Sequence, residues 1–255
     1  MGEVFVSDPR IRKITFTGST AVGQMLAREA AGNMKRISLE LGGHAPFIVC
    51  QDADPEMAAK GLSLVKFLNS GQACICPNRV FVHKEMKDKF FEVLKARVSK
   101  MKSGSGFEPG IAIGPLVNKA ALDKVDNQVQ DAVQKGAEVI AGGKRITCSG
   151  LDKGFFYSPT ILDNVDESML IFREETFGPV APIITYESES NVLKRANDTE
   201  YGLAAYVYTR NLSKAMYLFE NLNFGIIGIN DINPTAASAP FGGMKSSGFG
   251  REGAV

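Results

Sequence analysis

Residues 15–24 read TFTGSTAVGQ, a β-rich run that meets Gly18-Ser19 and passes at once into a helix-forming stretch. A strand turning directly into a helix is the repeating unit of α/β folds, and the same alternation recurs along the whole chain. Strands are expected near 12–18, 36–41, 47–50, 79–82, 138–143, 156–162, 180–187, 203–209 and 225–230. Between them run helical patterns. Met86, Phe90, Leu94, Arg97 and Met101 keep three- to four-residue spacing, with the Arg97 stem able to cover apolar surface. Leu122, Val125, Val129 and Val133 repeat the pattern, as do Leu212, Ala215, Phe219 and Leu222. These stripes predict the core faces of helices packed on a largely parallel sheet. The segments KSGSGFEPG (102–110) and APFGGMKSSGFGREG (239–253) are rich in Gly, Ser and Pro, which predicts loops or close backbone approach, the second with no strand or helix after it.

With 255 residues, 44% of them hydrophobic and 22% charged, the chain has ordinary globular usage. Lys+Arg 29 against Asp+Glu 28 leaves a formal net charge of +1. That balance gives no electrostatic basis for a nucleic-acid or anionic-membrane partner and favours small-molecule chemistry. No run approaches the roughly 20 apolar residues of a membrane span, and the N-terminal MGEVFVSDPRIRK lacks the apolar centre of a signal peptide. A cytoplasmic protein is the expectation. Four cysteines, Cys50, Cys74, Cys76 and Cys148, are too few and too irregular for a secreted disulfide framework. His44 and His83 have no second ligand at zinc spacing, so no metal site is expected.

Four segments can carry chemistry. The Gly18-Ser19 turn aims backbone N–H groups and a positive helix end at an anion, although Ser19 or Thr20 as a simple N-cap explains it equally well. In SLELGGHAP (38–46), Glu40 ends a hydrophobic strand beside a glycine pair. Desolvation there would raise its pKa and suit it to general-base work; the alternative is a surface residue at a strand end. The helix expected over 55–68 should stop at Asn69-Ser70-Gly71, which leaves Cys74 in the loop NSGQACICPN (69–78), where backbone N–H groups could stabilise a thiolate and later an oxyanion. Cys76 reads as a small buried hydrophobe. REETFGPV (173–180) places two acids before an aromatic and a Gly-Pro turn; it could hold a sugar hydroxyl pair under a flat ring, or be a solvated turn.

Taken in order, FTGSTAVG (16–23), LELGG (39–43), NSGQAC (69–74), EETFGPV (174–180) and APFGGMKSSGFGRE (239–252) closely resemble the NAD(P)-dependent aldehyde dehydrogenase superfamily, across essentially the whole chain. The resemblance implies a catalytic domain over 42–246 with a mostly parallel sheet. Residues 1–41 would be the second half of a Rossmann-like cofactor domain, to which 247–255 return. It further implies NAD or NADP as cofactor, a small aldehyde as substrate, and a homo-oligomer in the full-length form. Position by position, Cys74 becomes the nucleophile, Glu40 the general base, Gly18 and Ser19 pyrophosphate contacts, Glu175 a nicotinamide-ribose ligand and Phe177 a wall of the nicotinamide pocket. Phe241 would line the substrate tunnel. Members of the superfamily are longer than this chain, which is therefore expected to be a truncated piece. It would lack the first half of the cofactor domain, an oxyanion-hole Asn and the C-terminal strand used in subunit pairing.

Within the superfamily, Cys74-Ile75-Cys76 is similar to the succinate-semialdehyde dehydrogenase branch, whose second cysteine can join the nucleophile in a redox-switch disulfide. Thr235 lies near a hydroxyl position which that branch uses for its substrate. Leu68 stands where the branch carries an Arg for the substrate carboxylate. The alternatives to an aldehyde-oxidising enzyme are an isolated domain with impaired catalysis and a thiol hydrolase that uses Cys74 and Glu40 without nucleotide.

Overall fold

A computed structural model describes residues 2–147 and 150–253; Cys148 lies outside the described residues. After α1 (Gly2–Ser7), β1 (Lys13–Thr17) leads through α2 (Thr20–Gly32) to β2 (Arg36–Glu40). The two strands pair in parallel, with Thr17 beside Glu40. The chain then enters a larger sheet through β3 (Ala45–Val49), α3 (Pro55–Phe67), β4 (Pro77–His83) and α4 (Lys87–Val98). A small parallel pair, β5 (Lys102–Ser103) and β6 (Ile111–Ile113), precedes α5 (Lys119–Gln134), β7 (Glu138–Ala141) and β8 (Thr160–Asp163). There follow α6 (Leu170–Arg173), β9 (Val180–Tyr186), α7 (Glu189–Asn197), β10 (Ala204–Tyr208), α8 (Leu212–Asn221), β11 (Ile226–Ile229) and β12 (Gly248–Phe249).

The seven-stranded sheet has the order β11-β10-β3-β4-β9-β8-β7, parallel throughout except for β7 on β8. Its strands bury both faces, because side chains alternate across a strand and helices cover each side. Phe47, Val49, Val80, Val82, Ala181, Ile183 and Tyr206 point to a core shared with α3 and α4, in which Leu62, Val65, Phe90 and Leu94 pack. Ile48, Phe81, Val180, Ile184 and Val207 point the other way, to Val125 and Val129 of α5, Phe172 of α6, Val192 of α7 and Leu218 of α8. A smaller three-stranded sheet has the order β1-β2-β12, with β12 antiparallel to β2.

The expected strands are present, with two kinds of correction. The run 156–162 forms regular strand only from Thr160, Tyr157 making a single bridge to Arg145. The segments expected to be loops hold the two-residue strands β5 and β12, too short to leave a periodic signal. On α8 the buried face runs through Ala215, Leu218 and Leu222, while Leu212 and Phe219 are exposed. Three- and four-residue steps from Ala215 reach either Leu218 or Phe219, and packing on the sheet selects Leu218. Val133, at the end of the α5 stripe, is also exposed. Local signals start α3 as expected: the Asp54 carboxylate accepts the N–H groups of Glu56 and Met57 at 3.0 and 3.1 Å, and Pro55 opens the helix.

Candidate active site

The five sequence motifs meet where the two sheets adjoin. The thiol loop is shaped by backbone: after α3, Asn69 and Ser70 take left-handed conformations (φ 48° and 58°), and Gly71 follows at φ 75°. Consecutive left-handed residues are strained for L-amino acids and persist only where the surroundings hold them. Here Ser70 Oγ accepts the Gly114 N–H at 2.9 Å and donates to the Gly114 carbonyl at 3.0 Å. Gly71 lies so close to the Gly178 carbonyl that a Cβ would collide with it. This contact joins NSGQAC to EETFGPV.

Cys74 is half-buried and free. Burial pushes its thiol up, the charges of Glu175 and Glu40 push the same way, and the N–H groups of Cys74 and Ile75 pull it down. The thiolate-stabilising N–H groups expected from the loop are therefore present but outweighed, so the resting group is the thiol. Cys76 is fully buried and free; its thiol donates to the Lys66 carbonyl at 3.4 Å.

Glu40 at the end of β2 is only 3% exposed, which removes the surface reading. Its Oε2 has no hydrogen-bond partner among the described residues. Burial above all, then the Glu252 charge, raises its pKa to about 7 against the opposing pull of Arg251. The C-terminal segment supplies those neighbours. Gly248 of β12 pairs opposite Glu40, and Phe241 and Glu252 exchange backbone hydrogen bonds at 2.7 Å. Gly18 donates its N–H to the Glu40 carbonyl at 3.0 Å, so the first motif is tied to the second.

Glu175 completes the convergence. Its Oε1 accepts the Gly43 N–H at 2.9 Å, while burial raises its pKa against the Gly43 bond and the Lys124 and Lys66 charges. Gly42 lies between the Glu175 carboxylate and the Thr20 hydroxyl, and a Cβ on Gly43 would strike the Cys74 carbonyl. Only glycine fits such approach. Phe177, half-buried, takes a left-handed backbone at φ 54°.

Two residues not singled out in the sequence tie this centre together. The Lys66 ammonium, fully buried, donates to Asn78 Oδ1 at 2.9 Å, and Asn78 Nδ2 reaches the Gly43 carbonyl at 3.4 Å. The available signal was a lysine within the buried run Val65-Lys66-Phe67 of α3. Thr235 is not brought to Cys74 by any hydrogen bond; its hydroxyl donates to Asn233 Oδ1 at 2.8 Å within its own loop.

The turn at Ser19 fits the phosphates of a dinucleotide. Ser19 occupies the N-cap of the 13-residue α2 with extended backbone, yet its side chain makes no capping hydrogen bond, so the exposed hydroxyl and the helix N–H groups are free for an anion. The N-cap reading therefore holds for Ser19's position and fails for its side chain. Glu175 and Phe177 stand beside the thiol loop rather than in a solvated turn.

The aldehyde dehydrogenase family profile matches residues 1–255. The chain belongs to the aldehyde dehydrogenase family. It is 48% identical over 253 residues to the mitochondrial succinate-semialdehyde dehydrogenase of Arabidopsis thaliana, covering 99% of this chain and 47% of that protein. It is 46% identical to the NADP(+) succinate-semialdehyde dehydrogenase of Escherichia coli, covering 99% of this chain and 52% of the relative. Among solved structures, the succinate-semialdehyde dehydrogenase of Burkholderia pseudomallei superposes with a TM-score of 0.96 at 46% identity, covering 99% of this chain and 52% of that one. The chain thus spans about half the length of the aldehyde dehydrogenases it matches. No helix among its described residues is long and apolar enough to cross a membrane.

Proposed function

We propose that the protein oxidises an aldehyde to the carboxylate with NAD(P)+, using Cys74 as nucleophile and Glu40 as general base. The observation that supports this reading is the meeting of a half-buried thiol, a buried carboxylate of raised pKa with an unpartnered oxygen, and Glu175, all at the Gly42-Gly43 turn. Gly18, Ser19, Glu175 and Phe177 would hold the nucleotide, which when bound supplies the hydride acceptor. The names of the relatives suggest a semialdehyde as substrate and NADP as one of the two possible nucleotides.

The Cys74 sulfur adds to the carbonyl carbon and gives a thiohemiacetal. Because the resting group is a thiol, its proton must leave as sulfur attacks, and the Glu40 carboxylate, near enough to act on Cys74 through its charge, suits that transfer. After hydride loss the acyl group remains on sulfur as a thioester. Glu40 passes the proton it took from sulfur to solvent and then takes another from water; the hydroxide attacks the thioester carbonyl, the acid leaves, and Glu40 returns its proton to the Cys74 sulfur. A pKa of about 7 makes Glu40 an effective base near neutral pH.

The test pairs two variants. With aldehyde and nucleotide, Glu40→Gln should form an acyl adduct on the Cys74 peptide more slowly than wild type and then retain it, read by mass over time, and Cys74→Ala should yield neither adduct nor reduced nucleotide. Turnover by Cys74→Ala would remove the proposal. Since Cys74 and Glu40 both lie in this chain, a second reading is hydrolysis of activated esters without nucleotide; ester turnover that is indifferent to added nucleotide, with no aldehyde oxidation, would favour it.

A further inference from the structure

α3 turns one charged residue inward. Lys66 is fully buried in the run Val65-Lys66-Phe67, and its ammonium donates to Asn78 Oδ1 at 2.9 Å beside the Cys76 sulfur. The Asn78 amide reaches the Gly43 carbonyl at 3.4 Å, while Glu175 Oε1 accepts the Gly43 N–H at 2.9 Å. Gly43 is therefore gripped from both sides, by the amide that Lys66 orients and by the carboxylate. Taking an ammonium out of water is costly, and packing alone at this position would be served as well by methionine or leucine.

Glu175 is where that charge is felt. Burial opposes its ionisation, and the Gly43 N–H, Lys124 and Lys66 favour it. The two cations differ in kind: Lys124, on α5, is exposed and screened by salt, whereas Lys66 lies in the interior, where screening is weak. Facing the same carboxylate are Cys74 in the thiol loop and Tyr201 between α7 and β10, whose own ionisation it opposes. His44, next to Gly43, is held below its ordinary range by burial above all and then by the Arg79 charge, and Glu174 turns away to accept from Gln128 Nε2 at 3.2 Å. The second Glu175 oxygen, Oε2, lies over Gly42 beside the Thr20 hydroxyl. As a carboxylate the group accepts at both oxygens; protonated, it turns one of them into a donor.

We infer that Lys66 is a positioning residue: through Asn78 it fixes the Gly43 turn, and its buried ammonium holds Glu175 as a carboxylate, both of whose oxygens accept, as the hydroxyl pair of a nucleotide sugar requires. The inference rests on the reading of Glu175 as a nucleotide ligand. Its test uses no nucleotide, so the two fail separately.

Cys74 in the folded chain serves as the reporter. Iodoacetamide transfers its methylene carbon to the sulfur and releases iodide, at a rate set by the thiolate fraction, and fragment ions separate Cys74 from Cys76. Because the Glu175 charge opposes that thiolate, Glu175→Gln should speed the reaction near neutral pH about three- to tenfold. Lys66→Met removes a cation, a change that would slow the reaction if the ammonium acted on sulfur directly. By letting Glu175 take up a proton it should instead speed the reaction about as much as Glu175→Gln does, and the two together should differ from either alone by less than about twofold. Lys66→Gln, which keeps a donor for Asn78 without the charge, should follow Lys66→Met, and Lys66→Arg should keep the wild-type rate. The pattern should persist in about 1 M salt, where Lys124 is screened. A second reading comes from the carboxyl infrared band, isolated by subtracting the spectrum of the matching Glu175→Gln protein: Glu175 should be ionised in wild type and protonated in Lys66→Met and Lys66→Gln. Slower alkylation in Lys66→Met, undiminished acceleration by Glu175→Gln in that background, or a protonated Glu175 in wild type would overturn the inference. If Cys74 resists the reagent in every folded variant, the nucleophile reading falls and the infrared comparison alone decides the role of Lys66.

Discussion

β4 and β1 are both strands in parallel sheets, yet all seven residues of β4 are buried and, of the five in β1, only Ile14 is. β4 lies between β3 and β9 with helices over both faces, whereas β1 ends a three-stranded sheet beside which Val4, Phe5, Val22 and Met25 stay exposed. The contrast bears on the chemistry. Glu40 and Gly18 belong to the thinly covered sheet, and Cys74 and Glu175 to the deeply packed one. Local opening of the first sheet would move the base away from the nucleophile while leaving the thiol loop formed.

The largest effect should come from the deep side. Arg79 is fully buried with no carboxylate partner among the described residues; its guanidinium donates to the carbonyls of His44, Arg195 and Ala196 at 2.9 to 3.3 Å. Arg79→Met leaves those acceptors unpaired and should destabilise the chain by about 3–5 kcal/mol in urea unfolding; a loss below about 1 kcal/mol would mean that water replaces the guanidinium. At the seam, Gly71→Ala meets both a left-handed backbone and the Gly178 carbonyl. A loss of about 1–3 kcal/mol is expected, with slower alkylation of Cys74. An unchanged melting curve would show that the loop can shift freely.

On the thin side the effects are smaller. The Glu40 carboxyl is raised from an ordinary 4.5 to about 7 in the folded chain, so the folded state holds its proton more tightly than the unfolded one. Its contribution to stability is complete below pH 4.5 and is lost as pH rises towards 7. Glu40→Gln should therefore melt with wild type at pH 4 and about 2–4 °C above it at pH 8. The reverse order would contradict the raised pKa. Phe5→Ser should change stability by no more than about 0.5 kcal/mol, since its ring already meets solvent; a loss above about 2 kcal/mol would show that the apparent contrast between the sheets is false.

The pattern of strands and helices was legible because it rests on period, and period is local. Cys74, Glu40 and Glu175 could be singled out because their types are rare beside Gly-Gly, Gly-Gln or Phe-Gly-Pro. Local reading left Glu40 open between base and surface residue, because β12, which covers it, is two residues long and lies more than 200 positions away. Lys66 and Asn78 escaped notice for a related reason. Their roles exist only across α3, β4 and the Gly43 turn, and no short run of sequence contains that arrangement. The choice of Leu218 over Phe219 was likewise decided by the sheet beneath α8 and not by spacing along it.

The left-handed run at Asn69, Ser70 and Gly71 has a consequence for directed evolution. A library randomised over these three codons would be filtered by torsion before any catalytic selection acted, since Asn, Asp and Gly tolerate such angles and β-branched residues do not. Glycine recovered at 69 or 70 would then report relief of backbone strain, and its enrichment should be the same whichever aldehyde is supplied.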